Sequence, residues 1–277
     1  MRPNAVPPTR TAERPILSDA EASDREGQPR ADATPEASQP PRTAHPYAQS
    51  PPTPEQAAFA AVETAAARIR AGQSTHALVG GAFQTEHPDM LLGYELGGLL
   101  HRKRWKSVWK RAANDGGGIV TGSGAAFLVL ESREHAEKRG RTAYAAIGKV
   151  ESGRARRAEG NLTEAISGIV RALGAPKERL LAISGASGAH AATGAERSAL
   201  SAAGDFAVRG FSSLTGHMKE AQFPFAIALA ALAIRNGAPY PPFDPENEGD
   251  IDGAPRAALA TAVGYRRFEG AALVVAS

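Results

Sequence analysis

The sequence holds 277 residues, 42% of them apolar, with 32 Lys and Arg against 29 Asp and Glu and no cysteine. The absence of thiols excludes a disulfide framework, a thiolate metal site and a cysteine nucleophile. No apolar run reaches the ~18 residues of a membrane span, and the Pro- and Arg-bearing start lacks the apolar core of a secretory signal, so a soluble, cytoplasmic protein with no membrane partner is expected.

Twelve of the 20 prolines fall within the first 54 residues. Residues 1–52 carry six Arg and seven acids but only five sizeable apolar side chains, Met1, Val6, Ile16, Leu17 and Tyr47. So little apolar surface cannot offset ~1–2 kcal/mol of chain entropy per residue, which predicts a disordered tail over 1–52 and one domain over 53–277. Thr53-Pro54-Glu55-Gln56 has the form of a helix-capping box. Phe59, Val62, Ala66 and Ile69 then share one helix face, and Gly72 ends the run. His76–Gly80 reads as a short buried strand, and residues 84–115 are irregular in pattern. A long strand or hairpin arm over Gly118–Glu131, a basic helix over His135–Arg139 and a strand over Ala143–Val150 follow. Next come a helix over Leu162–Leu173 capped by Asn161, a strand at Leu180–Ser184, a helix at Ala195–Ala203 and a strand at Phe206–Phe211. Gln222–Arg235 is apolar almost all round, which predicts a buried helix, and Ala257–Val263 and Ala271–Val275 close the chain as strands. Alternating strands and helices predict an α/β fold with a mainly parallel sheet covered on both faces.

Thr215-Gly216-His217 falls between the last of these central strands and the buried helix, where α/β folds place ligands. An imidazole there can donate to a carbonyl or accept a proton; it can equally be a satisfied structural histidine. The segment His101–Arg111 holds Arg102, Lys103, Arg104, Lys106, Lys110 and Arg111, no acid, and both tryptophans. Three uses fit it: a surface helix with Trp105 and Trp109 packed inward, a docking surface for an acidic carrier protein, or a nucleic-acid site, the last being the least supported. The seven histidines are dispersed and the glycine clusters lack a dinucleotide-binding context, so neither a metal nor a cofactor is expected. Ser184 and Ser187 lack the setting of a nucleophile elbow.

Ser213-Leu214-Thr215-Gly216-His217, followed by a small-residue helix and the Pro-rich run 237–247, resembles the C-terminal half of the β-ketoacyl-acyl-carrier-protein synthases. In that family an S-x-T-G-H loop precedes a buried Ala-rich helix. Residues 115–131 look like the family's DGFVxGEGAGxLVLE stretch, and 134–140 like its EHAxxRG helix. Residues 65–81 resemble its AAxALRSGxxDxALAGG unit, and 264–274 its GFGGxNAxLV turn. These matches are collinear over 57–275. The resemblance implies a thiolase-like fold with an incomplete N-terminal half, a C-terminal βαβαβ half and a disordered tail in place of the family's first strands and helices.

The family's nucleophilic Cys would fall at Glu55 or Gln56, its first catalytic His at Gly185 or Ala186, and its Lys at Ser212. His190 is four residues beyond that first His position. Arg266-Arg267 replaces a glycine pair at the pocket mouth, and Phe268 stands where synthases carry Thr, His or Gln. Only His217 survives from the active-site set. These traits resemble chain-length factors, the non-condensing partners of type II polyketide and aryl-polyene synthases. The resemblance implies Gln56 as the Cys-position residue, substrate contacts at Thr215, Arg266 and Phe268, and a heterodimer with an active ketosynthase served by an acyl carrier protein. A malonyl-carrier-protein decarboxylase using His217 and a degenerate fragment without function are the alternatives.

Overall fold

The computed structural model describes residues 54–111, 113–157, 160–176 and 178–277; the tail expected over 1–52 and the cap at Thr53 lie outside them. Helix α1 (Pro54–Arg70) buries Phe59, Val62 and Ala66 on the expected face. Gly72, at φ 69°, takes the left-handed turn that lets Gln73 N–H reach the Arg68 carbonyl at 2.9 Å.

Strands β1 (His76–Phe83) and β2 (Gly124–Glu131) form a two-stranded antiparallel sheet with His76 opposite Glu131. β1 continues past its expected end because its pairing with β2 runs on to Phe83 opposite Gly124, with Gly81 so close to the backbone of Glu220 that a Cβ would come within 2.3 Å of the carbonyl oxygen. It is not a fully buried strand: Val79 faces the core while Leu78 faces out. Helix α2 (Pro88–Leu96) lies within the segment expected to be irregular. Only Tyr94 of its residues is buried, so there is no apolar stripe to reveal it. Helix α3 (Arg133–Lys138) starts where Ser132 Oγ accepts from His135 N–H.

Strands β3 (Ala146–Gly153), β4 (Leu180–Ser184), β5 (Phe206–Gly210), β6 (Ala257–Val263) and β7 (Glu269–Val275) make a second sheet in the order β3-β7-β6-β4-β5. β4 pairs in parallel with β5 and β6, whereas β7 is antiparallel to both β6 and β3. Four of the five strands, β3, β4, β5 and β6, therefore run in one direction, as expected of a mainly parallel sheet, and β7 runs against them. The turn 264–268 is too short for a crossover and folds β6 and β7 into a hairpin.

Helix α4 (Asn161–Ala172) has Gly160 at its N-cap, one residue before the expected Asn161. Helix α5 (His190–Ala203) begins five residues earlier than its apolar pattern indicates, as the Gly188 N–H is taken up by Thr193 Oγ1 at 3.0 Å. A single turn, α6 (Ser212–Thr215), precedes α7 (Gln222–Asn236), which Gly237 ends at φ 71°.

Two apolar clusters define the layering. Leu162, Ile166, Val170, Ala192 and Leu200 of α4 and α5 pack on Leu259, Ala271 and Leu273 of the larger sheet. Its other face packs through Ala258, Ala260, Ala272 and Val274 against α1 and α7, whose far side carries Val79 of β1. The layers thus run helices, five-stranded sheet, helices, two-stranded sheet. Beyond β1 and β2 no further layer lies among the described residues, and Leu78, Phe127 and Val129 are 68%, 61% and 62% exposed. An intact βαβαβ half, β3-α4-β4-α5-β5, and an incomplete first half are as expected.

Candidate functional site

The His217 loop is fixed by backbone before any side chain is considered. His217 N–H donates to Val120 O at 2.7 Å and its carbonyl accepts from Gly122 N–H at 3.0 Å. Two glycines permit this crossing. A Cβ on Gly122 would sit 1.8 Å from Thr215 O, and one on Gly216, itself at φ 72°, would lie 2.7 Å from Thr121.

The His217 ring is 2% exposed, and neither ring nitrogen has a hydrogen-bond partner among the described residues. Tyr265 meets it edge to face at 6.1 Å between centroids. Burial, reinforced by the charge of Lys219, pushes the imidazole pKa down to about 3, so at neutral pH the ring is uncharged and keeps one N–H to donate. Lys219, at φ 38°, holds its ammonium 5.3 Å from the centroids of both Phe83 and Tyr94. Lys219, Tyr94 and Tyr265 were missed by sequence reasoning; the proximity of Lys219 to His217 in the chain was the one available signal.

Behind His217, Gln222 acts as a brace. Its Nε2 donates to Gly185 O at 3.1 Å and to Ser212 Oγ at 2.6 Å, while its Oε1 accepts from Met218 N–H at 2.9 Å. Ser212, at the family's Lys position, is thereby consumed. Next to it lies Glu196, fully buried, with Oε1 accepting from Ser184 Oγ and Thr261 Oγ1. Burial pushes its carboxyl up, against the pull of the two hydroxyls. Ser184 is thus a structural partner of Glu196, and Ser187 Oγ accepts from Ala189 N–H.

The other candidates fall at various distances from chemistry. Gln56 lies half-buried in the first turn of α1, three residues before Phe59, whose ring packs 4.5 Å from Phe223 of α7. The Thr215 hydroxyl faces its own turn, 3.2 Å from Phe211 O and 3.0 Å from Gly216 O. Phe268 is buried at φ 62° with the Arg154 guanidinium 5.5 Å from its ring centroid. Arg266 is exposed and stands 5.7 Å from the centroid of Tyr265, so it flanks the ring that in turn flanks His217. Arg157 pins this turn: it pairs with buried Glu269 at 2.9 Å and donates to the carbonyls of Gly264 and Phe268. His190 Nε2 is 2.8 Å from Gly116 O, which ties it to a different loop from His217.

The basic segment is irregular apart from a 3₁₀ turn at Val108–Lys110, so Trp105 and Trp109 do not share a helix face. Trp105 is 45% exposed against Phe243, and Trp109 donates to Glu248 at 3.0 Å. Arg102 pairs with Glu95, Lys106 with Asp115, and Lys110 with Asp244 and Glu246. Arg111 is buried, its guanidinium directed at the carbonyls of Lys106, Gly118 and Ser212, and burial lowers its pKa to about 10. Arg111 is therefore a loop staple and not part of a docking surface. Lys103 and Arg104 remain exposed.

Residues 48–136 match the family model described as β-ketoacyl synthase, N-terminal domain. Among solved structures, the ishigamide ketosynthase/chain length factor superposes with a TM-score of 0.62 at 20% identity, over 80% of this chain and 59% of that one. The chain has the thiolase-like fold of the ketosynthases. A type II polyketide synthase acyl-carrier protein in complex with its ketosynthase bound to the hexaketide gives a TM-score of 0.63 at 19% identity, covering 79% of this chain and 60% of that one. The oxazolomycin ketosynthase domain of Streptomyces albus JA3453 gives 0.63 at 20% identity, covering 79% and 44%. No curated protein matches the sequence. This ketosynthase-like chain thus spans about three fifths of the length of the first two structures. Among the described residues no helix is long and apolar enough to cross a membrane, and no group of His, Asp and Glu is placed to hold a metal ion.

Proposed function

We propose that this ketosynthase-like chain is a non-condensing subunit, similar in role to a chain-length factor. It would pair with an active β-ketoacyl synthase and its acyl carrier protein in fatty acid or polyketide assembly, aryl polyenes included. One observation carries the reading: the 277 residues contain no cysteine, and a glutamine, Gln56, stands in the first turn of α1 where the family resemblance puts the nucleophile. A carboxamide cannot form the acyl thioester on which condensation depends. The uncovered face of β1 and β2 supports the same reading, since exposed apolar area of this kind marks an interaction site. Deleting the chain from cells that carry its companion ketosynthase should leave that enzyme insoluble or change its product length. Unchanged solubility with an unchanged product profile contradicts the proposal.

A second reading rests on His217. A neutral, buried imidazole with both nitrogens unpartnered among the described residues is a donor ready to stabilise an enolate oxygen. In a malonyl thioester the bond to the carboxylate would break, carbon dioxide would leave, and the electron pair would move onto the thioester oxygen facing His217. Release of carbon dioxide from malonyl-carrier protein by the pure protein, lost in His217→Ala, is the expected result. No release ends this reading.

A further inference from the structure

Two antiparallel strand pairs of the fold are built alike but finished differently. Helix α7 precedes the antiparallel pair β6–β7, and helix α1 precedes the antiparallel pair β1–β2. Around β6–β7 the unit is closed: β4 pairs with β6, β3 pairs with β7, and α4 and α5 cover the face opposite α7. Around β1–β2, neither strand has a second neighbour among the described residues and the face opposite α1 is bare.

Where α1 meets the start of β1, at the edge that β2 leaves unpaired, lies a mainly apolar groove of about 610 Å³, lined by Ala57, Ala61, Thr64 and Arg68 of α1, by Ser74, and by His76 and Ala77 of β1. From Ala57 to Arg68 the groove follows α1 for about 16 Å at 1.5 Å per residue. A five-residue strand such as β4 spans about 17 Å. β4 occupies the matching place beside β6, in parallel pairing, beneath α7.

We propose that this groove receives one β-strand of a separate polypeptide, parallel to β1 and apolar on both faces as Leu180–Ser184 is. Residues 1–53, which lead into α1, are too poor in large apolar side chains to supply such a strand. A second copy offers the same polar segment and no spare strand of that character. The inference rests on the subunit reading for the partner's identity and adds where that partner joins.

The absence of native thiols allows a direct test. Ala61→Cys in the full chain carries a single thiol in the groove, and Arg171→Cys carries one on exposed α4 as a control. The probes are a synthetic peptide of residues 178–186, at up to about 1 mM, and the companion ketosynthase. Either probe should slow maleimide labelling at position 61 by about tenfold or more, leave position 171 unchanged, and lose its effect when Thr64→Trp fills the groove. A ketosynthase that binds while position 61 stays reactive to both probes overturns the groove assignment but spares the subunit reading. Protection by the peptide without ketosynthase binding does the reverse. A thiol already protected in the free chain, whether relieved by dilution (a second copy) or not (residues 1–53), also overturns the assignment.

Discussion

His217 and Glu196 are both buried, and burial moves their titrations in opposite senses. The His217 imidazole, held near 3, cannot take the proton that the unfolded chain takes below about 6.5. Its contribution to stability is therefore complete above pH 6.5 and declines as the pH falls toward 3. Between pH 7 and pH 5 the loss amounts to about 2 kcal/mol. Glu196, whose carboxyl is pushed up, acts the other way: the unfolded chain releases its proton first, and stability drops as the pH rises above the ordinary carboxylate range. Urea unfolding at the two pH values should show His217→Leu losing about 2 kcal/mol less than the parent on acidification. Glu196→Gln, which keeps a donor and an acceptor at the site, should be at least as stable as the parent at pH 7. A parent whose pH profile is unchanged by either substitution contradicts the burial assigned to these groups.

At the scale of elements, the site depends on chains crossing at glycine. In sequence Gly72 ends a helix and Gly122 falls within an expected strand, and their surroundings in the fold differ. Among the described residues nothing lies within 4 Å of a Cβ on Gly72, whereas one on Gly122 would overlap Thr215 O at 1.8 Å. Gly72→Ala should cost about 1 kcal/mol, from the left-handed φ alone. Gly122→Ala must move the His217 loop and should cost about 3 kcal/mol or more, read as a loss of melting temperature several times larger. The basic segment divides in the same way. Lys103→Ala with Arg104→Ala should weaken binding of an acidic carrier protein with little change in melting temperature. Arg111→Ala should destabilise the fold, because it leaves buried carbonyls of Gly118 and Ser212 without their donor. Equal effects of the two changes on carrier binding, with no difference in melting temperature, would contradict this division.

Which elements were legible in the sequence follows from how each is held. α1, α4 and α7 have continuous apolar faces and lie close to their expected limits. The burial of β4 is equally plain in Leu-Leu-Ala-Ile-Ser. α2 and the first turn of α5 are set by a cap, a short loop and tertiary contact, which leave no periodic trace. In the site, His217 stood out through its motif. Gln222, Lys219 and the Arg157–Glu269 pair did not, since each acts through partners far away in the chain or through a backbone crossing that only the fold creates. The segment 101–111 misled for the same reason: its charges look free until Glu95, Asp115, Asp244 and Glu246 are brought to them.

Over the whole molecule, a closed half and an open half share the helical layer of α1 and α7. The closed half is covered on both faces; the open half leaves Leu78, Phe127 and Val129 in water, an arrangement that costs solubility unless a second chain covers it. On the proposed reading the chemistry has the same asymmetry, with a histidine donor kept and the family's sulfur nucleophile missing from a sequence without cysteine. Incubation of the purified chain with a radiolabelled acyl-carrier protein, followed by denaturing electrophoresis, tests this most directly. No label should remain on this chain, with or without the companion ketosynthase, while the ketosynthase itself becomes labelled. A covalent acyl group on this chain that survives denaturation, formed when no other synthase is present, would contradict the account.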